Sequence, residues 1–221
     1  MNIYISIGSQ CTTPTLFDRL NVKKESLPFD WMFSTPHFVY TIIKLLFIDK
    51  KQVEDIIDND FFVCDARASL HDKEHHILNT NGSVLVNSKY NVCFPHDSIG
   101  DRDKYLRRIE RFKRLILDES NFINFVYISV SSKNSGNYTI NGVEPIEDLY
   151  EYIEKINNII KTIRTNYKIL IFDTNKPSNI IHSDISHILY YDIEKKNIWS
   201  ELLPELVDKC NNLINNKIIS K

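Results

Sequence analysis

Ile3, Ile5 and Ile7 alternate with Asn2, Tyr4 and Ser6, and Gly8-Ser9-Gln10 then breaks the run, so the pattern predicts a strand over residues 2–7. Thr12-Thr13-Pro14 follows as a helix start, with Thr13 as N-cap and Pro14 at the first helical position. Leu16, Phe17 and Leu20 give that helix one apolar face. Ser26-Leu27-Pro28-Phe29-Asp30-Trp31 carries neither period, because Pro28 disfavours helix before it and the aromatic rings need burial.

Helices are predicted over 36–48, 51–59, 101–118, from Pro145 through Ile163, and over 201–214. The clearest is 101–118, where Tyr105, Ile109, Phe112 and Ile116 recur at spacings of three and four. The apolar runs 122–130, 167–172 and 187–191 read as buried strands, and 84–94 alternates like a strand or a hairpin broken near Asn87-Ser88. Segments 71–76 and 131–142 read as loops. Strands alternating with long helices predict a single α/β domain over 1–221. Its architecture is a three-layer sandwich with a mostly parallel Rossmann-like sheet and an inserted hairpin around 84–94.

Composition narrows the function classes. A formal charge of −2 provides no overall field for nucleic acid or an anionic membrane, so neither is expected as a partner. No run approaches a membrane span, and the first residues lack the features of a secretory signal. Cys11, Cys64, Cys93 and Cys210 are scattered singly, without the close pairs of a zinc knuckle or redox motif. Reduced thiols in a cytoplasmic setting, the host cytoplasm for a viral protein, are expected. With one glycine in Gly8-Ser9-Gln10-Cys11, no phosphate loop or dinucleotide fingerprint is present, and no cofactor is expected. His71, His75 and His76 have ligand character at loose spacing, and no metal site is assigned to them.

In a parallel sheet the ligand crevice lies beyond the carboxyl ends of the strands. Ser9 to Cys11, His96-Asp97, Ser129 to Ser132, Asp173 and Asp192 fall there. Cys11 also stands at a helix start, where unpaired N–H groups favour thiolate and can stabilise an oxyanion. Cys11 is therefore the candidate nucleophile and His96 its base, with Asp97 or Asp173 as the acid orienting the imidazole and Gln10 as an oxyanion donor. Ser9, Gln10, Asp30, Asp173, Asp192 and Arg107 are the candidate substrate-binding residues. The basic face of Arg102, Lys104, Arg107, Arg108, Arg111, Lys113 and Arg114 offers phosphate or acid contacts, although most such runs are solvated faces balanced by acids.

Four features together resemble a known family. They are Ser6-Ile7-Gly8-Ser9-Gln10-Cys11, the Ser26 to Trp31 box, His96-Asp97, and the arginine-rich helix before the strand at Phe122. The chain is similar in these to DUF1796, a family of bacteria and large DNA viruses labelled "putative papain-like cysteine peptidases". The resemblance implies a cysteine hydrolase centred on Cys11 and His96. It also implies a cysteine-bearing helix facing a small antiparallel barrel, whereas the periodicity predicts a parallel sheet. Three functions follow as expectations. The first is a cysteine-dependent hydrolase or acyl transferase acting on a peptide or small molecule. The second is a transferase binding a nucleotide sugar or phosphate ligand through Asp173, Asp192 and the serines after Val130. The third is a non-catalytic binding protein, with the Pro-Phe-Asp-Trp box serving mainly as packing. None of these features specifies an oligomeric state.

Overall fold

The computed structural model describes residues 1–8, 11–63, 66–70, 83–90, 92–129, 138 and 139, 149–173, 188–192, 204 and 206–208. In chain order the elements are β1 (Asn2–Ser6), α1 (Thr12–Arg19), α2 (Pro36–Phe47), α3 (Val53–Ile56) continuing as a π-helical turn (Ile57–Phe61), β2 (Ala66–Leu70), β3 (Ser83–Asn87), β4 (Val92–Phe94), a 3-10 turn (Ile99–Asp101), α4 (Arg102–Leu117), β5 (Phe122–Ser129), β6 (Tyr138–Thr139), α5 (Leu149–Ile163), β7 (Tyr167–Asp173) and β8 (Ile188–Asp192).

The strands form two sheets. One is parallel, in the order β1-β5-β7-β8. Because β5 is buried on both faces, its sequence is largely apolar rather than alternating, with Asn124 the buried polar exception. Ile123, Phe125 and Tyr127 pack with Ile3, Ile5, Tyr167 and Ile169 against α2, α4 and α5. Val126 and Ile128 point the other way, with Phe172, onto Leu16 and Phe17 of α1 and onto Leu206. The second sheet is antiparallel, in the order β4-β3-β2-β6. The hairpin expected around 84–94 is its β3–β4 pair, whereas β2 and β6 were not foreseen. Mixed α/β is therefore the fold class, with antiparallel structure exceeding the single hairpin that was expected.

The predicted stripe of α4 is the buried one, Tyr105, Ile109, Phe112 and Ile116. On α5, Ile153, Ile156 and Ile160 are fully buried. Arg164, just past α5 and only 4% exposed, caps the far end of α4. Its Nη1 donates to the Ile116 carbonyl at 2.7 Å and the Leu115 carbonyl at 3.3 Å, and its Nη2 donates to the Asn121 carbonyl. Those oxygens have no helical donors of their own, so one side chain satisfies the end of α4 and ties α5 to the start of β5.

The antiparallel hairpin is attached through Asp60 in the π-helical turn. Its carboxylate accepts from Lys89 Nζ at 2.6 Å and the Tyr90 hydroxyl at 2.8 Å, while Asn87 Nδ2 donates to the Asp60 carbonyl at 2.7 Å. Burial works to raise the Asp60 carboxyl, but those two hydrogen bonds and the Lys89 and Lys51 charges hold it below its ordinary range.

Candidate active site

The turn after β1 sets the position of the thiol. Gly8 has φ +115°, and a Cβ there would meet Ser34 Oγ at 2.9 Å and the Tyr127 ring at 3.1 Å, so glycine is required by both backbone and space. The expected cap is corrected here: Cys11 is the N-cap, Pro14 is the third helical residue, and the Thr13 hydroxyl donates back to the Gly8 carbonyl at 3.0 Å. Pro14 is tolerated because first-turn N–H groups have no intrahelical acceptor.

His96 arrives from the other sheet, two residues past β4. That strand is joined to the segment just after the Ser26–Trp31 box by one antiparallel bridge, in which Phe33 and Cys93 exchange N–H to carbonyl bonds at 3.0 and 3.1 Å. The box turns back on itself: the Leu27 N–H donates to Asp30 Oδ2 at 3.1 Å, and Trp31 follows with φ +62°, an unusual backbone for a bulky residue. Phe29 fills the core against Phe38, Phe61 and Phe112. The Trp31 ring meets His96 edge-on, with centroids 6.3 Å apart, and Lys23 Nζ sits 4.2 Å from the Trp31 ring.

These elements bring Cys11 Sγ to 3.4 Å from His96 Nε2, across 85 residues of sequence. That is hydrogen-bond reach for sulfur, and it places a nucleophile type beside a base type. His96 is exposed, while Cys11 is 4% exposed. Burial pushes the Cys11 thiol up to about 12, with the Asp30 and Asp97 charges adding to the rise and its own backbone N–H and Lys23 opposing it. The helix start does not, then, hold this cysteine as a resting thiolate; desolvation outweighs the aligned N–H groups.

A family model described as "Putative papain-like cysteine peptidase (DUF1796)" matches residues 2–174. The chain belongs to this family. No curated protein and no solved structure matches it. The family label and the parallel sheet, which pointed to different folds, meet in one molecule: Cys11 opens a helix of the parallel layer, and His96 follows a strand of the antiparallel one.

The remaining expected site residues are distributed as follows. Asp97 directs its carboxylate to α4, where Oδ1 accepts from Lys104 Nζ and Oδ2 from the Tyr105 hydroxyl at 2.6 Å. Asp30 is 2% exposed and lies 3.7 Å from Lys23 Nζ; burial pushes its carboxyl up to about 6 against the pull of Lys23, the Leu27 N–H and Arg108. Asp173 and Asp192 are partners in the register of β7 and β8, and Ser129 is the partner of Asp173. Arg107 lies exposed on α4. Ser9, Gln10, His71, His75 and His76 lie outside the described residues. Among the described residues no group of three or more His, Cys, Asp or Glu could hold a metal, and no helix is long and apolar enough to cross a membrane.

The basic face of α4 is largely engaged with the protein itself. Arg102 forks onto Asp58 at 2.7 and 2.8 Å, and Arg111 binds Glu25 at 2.9 Å and the Ser26 carbonyl at 2.6 Å. Sequence reasoning missed the roles of Lys104 and Tyr105. The signal was available: a helix starting at residue 102 puts both one turn above an aspartate seven and eight residues earlier.

Proposed function

We propose that this chain is a cysteine hydrolase of peptidase type, with Cys11 as nucleophile and His96 as general base. The observation that supports the reading is the 3.4 Å approach of Cys11 Sγ to His96 Nε2. With the thiol raised by burial, Cys11 rests as the S–H and donates to Nε2. Attack then couples two events: the sulfur bonds to the carbonyl carbon of the substrate while its proton passes to Nε2, and the carbonyl electron pair moves onto oxygen. The N–H groups of Thr12 and Thr13 at the start of α1 serve as donors to the developing oxyanion in this reading, with Gln10 as a further donor. Collapse breaks the bond to the leaving group, which takes the proton from Nε2. Water, deprotonated by Nε2, then cleaves the thioester and restores the thiol. Asp97, held by Lys104 and Tyr105, supplies negative charge near the imidazole and stabilises it when protonated.

The test is the pH dependence of iodoacetamide labelling at Cys11, read by peptide mass mapping. In the wild type, labelling near pH 7 exceeds what a thiol titrating at about 12 allows, because His96 takes the proton. His96→Ala lowers the rate at pH 7 by about a hundredfold, the low end of general-base contributions. Equal rates in wild type and His96→Ala at pH 7 overturn the reading.

The parallel sheet, with apolar clusters on both faces, supports a Rossmann-like three-layer arrangement around this site. One observation favours a second reading, a transferase holding a nucleotide sugar: Ser129, Asp173 and Asp192 form one row across the ends of β5, β7 and β8. A thermal shift with nucleotide sugars, alongside a Cys11 that labels no faster than its burial allows, would favour it.

A further inference from the structure

The Ser26–Trp31 box divides its aromatic rings between two places. Phe29 is fully buried among Phe38, Phe61 and Phe112, whereas Trp31, two residues on, belongs to neither apolar cluster and is partly exposed. Its ring stands at 87° to the His96 ring, with centroids 6.3 Å apart. Its backbone takes φ +62°, a conformation that a bulky residue adopts only where its surroundings impose it, and such places gather at active sites. Here a reciprocal turn imposes it. The Leu27 N–H donates to Asp30 Oδ2 at 3.1 Å, and the Asp30 N–H donates to the Leu27 carbonyl at 3.2 Å.

Lys23 completes the hold on that ring. Beyond α1 the Val22 and Lys23 N–H groups both donate to the Phe17 carbonyl, at 3.1 and 3.3 Å, which fixes where Lys23 leaves the helix. Its side chain is only 11% exposed, and Nζ lies 4.2 Å from the centre of the Trp31 ring and 3.7 Å from both Asp18 and Asp30. Burial strips water from an ammonium, and here an aromatic face and two carboxylates replace it. The helix therefore reaches the Cys11–His96 pair twice. Cys11 caps its start with the sulfur against His96, and Lys23 past its end holds the tryptophan that stands beside the same imidazole. An exposed histidine has rotamers that carry Nε2 away from the sulfur, and a ring standing beside it restricts them.

We propose that Trp31 is a positioning residue that, held by Lys23, keeps the His96 imidazole on the Cys11 sulfur. This rests on Cys11 and His96 being nucleophile and base, and it gives the box a part in their chemistry beyond packing.

The experiment measures base dependence, the rate of iodoacetamide labelling at Cys11 at pH 7 divided by the rate in the matching His96→Ala chain. A merely structural role changes both rates together and leaves this quotient unmoved. The wild-type quotient is about a hundred, and Trp31→Ala is expected to lower it to about ten, because a base displaced by about 1 Å loses much of its contribution. Trp31→Phe keeps a ring beside the imidazole and restores most of the quotient. A second measurement leaves Trp31 in place and replaces the other of the two tryptophans, Trp199→Phe, so that indole fluorescence comes from Trp31. Imidazolium quenches a neighbouring indole, so acidification through the histidine range dims Trp31, and His96→Gln abolishes the dimming. A Trp31→Ala quotient equal to the wild type's overturns the proposal, as does a Trp31→Phe quotient no higher than that of Trp31→Ala. Dimming that is absent, or that His96→Gln leaves undiminished, also overturns it. These failures leave the Cys11–His96 pair standing where the wild-type quotient is about a hundred. A wild-type quotient of about one overturns both readings, since His96 then contributes none of the base catalysis expected of it.

Discussion

The parallel and antiparallel sheets of this chain supply one half each of the candidate active site, and they are built by different means. In the parallel layer, β5 and β7 bury largely apolar runs on both faces, and the charge-bearing groups sit at element ends, as Arg164 does at the end of α4. In the antiparallel layer the hairpin is short: Leu85, Val92 and Phe94 join the same core, and polar contacts, the Asp60 attachment and the Phe33–Cys93 bridge, add to their hold. Burial thus holds both halves, and on the side of the imidazole directional hydrogen bonds are added to it. Burial is non-directional and tolerates small changes of angle, whereas a base must be held to within a few tenths of an ångström.

This contrast predicts that stability and reactivity will separate by region. The largest stability effect is expected for Arg164→Met, which strips the carbonyls of Leu115, Ile116 and Asn121 of their buried donor. A loss of about 3 kcal/mol or more is expected in urea unfolding, while Cys11 labelling well below the transition stays as in the wild type. A labelling rate that falls in step with stability would erase the distinction between the layers.

Asp30 lies on the seam between the two. Its carboxyl is raised from 3.8 to about 6 by burial, so its contribution to stability is fully present below pH 4 and is lost as pH rises through 6. Asp30→Asn retains an oxygen for the Leu27 N–H and removes that loss. Its stability relative to wild type therefore improves between pH 4 and pH 7 by up to about 3 kcal/mol, and Cys11 labels faster because a nearby negative charge is gone. Unfolding titrations at the two pH values check this, and a difference independent of pH would refute it.

The smallest stability effect, and the sharpest for the comparison, is Asp60→Asn. It weakens the hold on Lys89 and Tyr90 by about 2 kcal/mol or less, yet it loosens the strand that leads to His96. Faster hydrogen exchange confined to β3 and β4, with slower Cys11 labelling, is the expected result. Unchanged labelling would show that the core packing of β4 and the Phe33–Cys93 bridge suffice to position the imidazole.

Legibility in the sequence followed the same division. The strands at 2–7, 122–130 and 167–172 and the stripe on the basic helix could be read because burial writes itself as apolar period and run length. Cys11 could be placed because a strand, a glycine and a helix start flank it within a few residues. The strand 66–70 was not legible: Ala66-Arg67-Ala68-Ser69-Leu70 has little β character, and its pairing with β3 is a tertiary event. Nor was the protonation state of the thiol legible. The helix start argued for thiolate, and only the completed core shows that desolvation prevails. Which of the seven basic residues of α4 meet an acid, as Arg102, Lys104, Arg111 and Arg114 do, was not legible either, because they look alike in sequence.

The bridge between Phe33 and Cys93 has a consequence for how the protein comes into being. Strand β7 must be synthesised before the parallel layer can close, and the imidazole reaches the sulfur only after the hairpin docks onto the box. A nascent chain leaving the ribosome therefore carries a thiol with no imidazole beside it until the hairpin has docked.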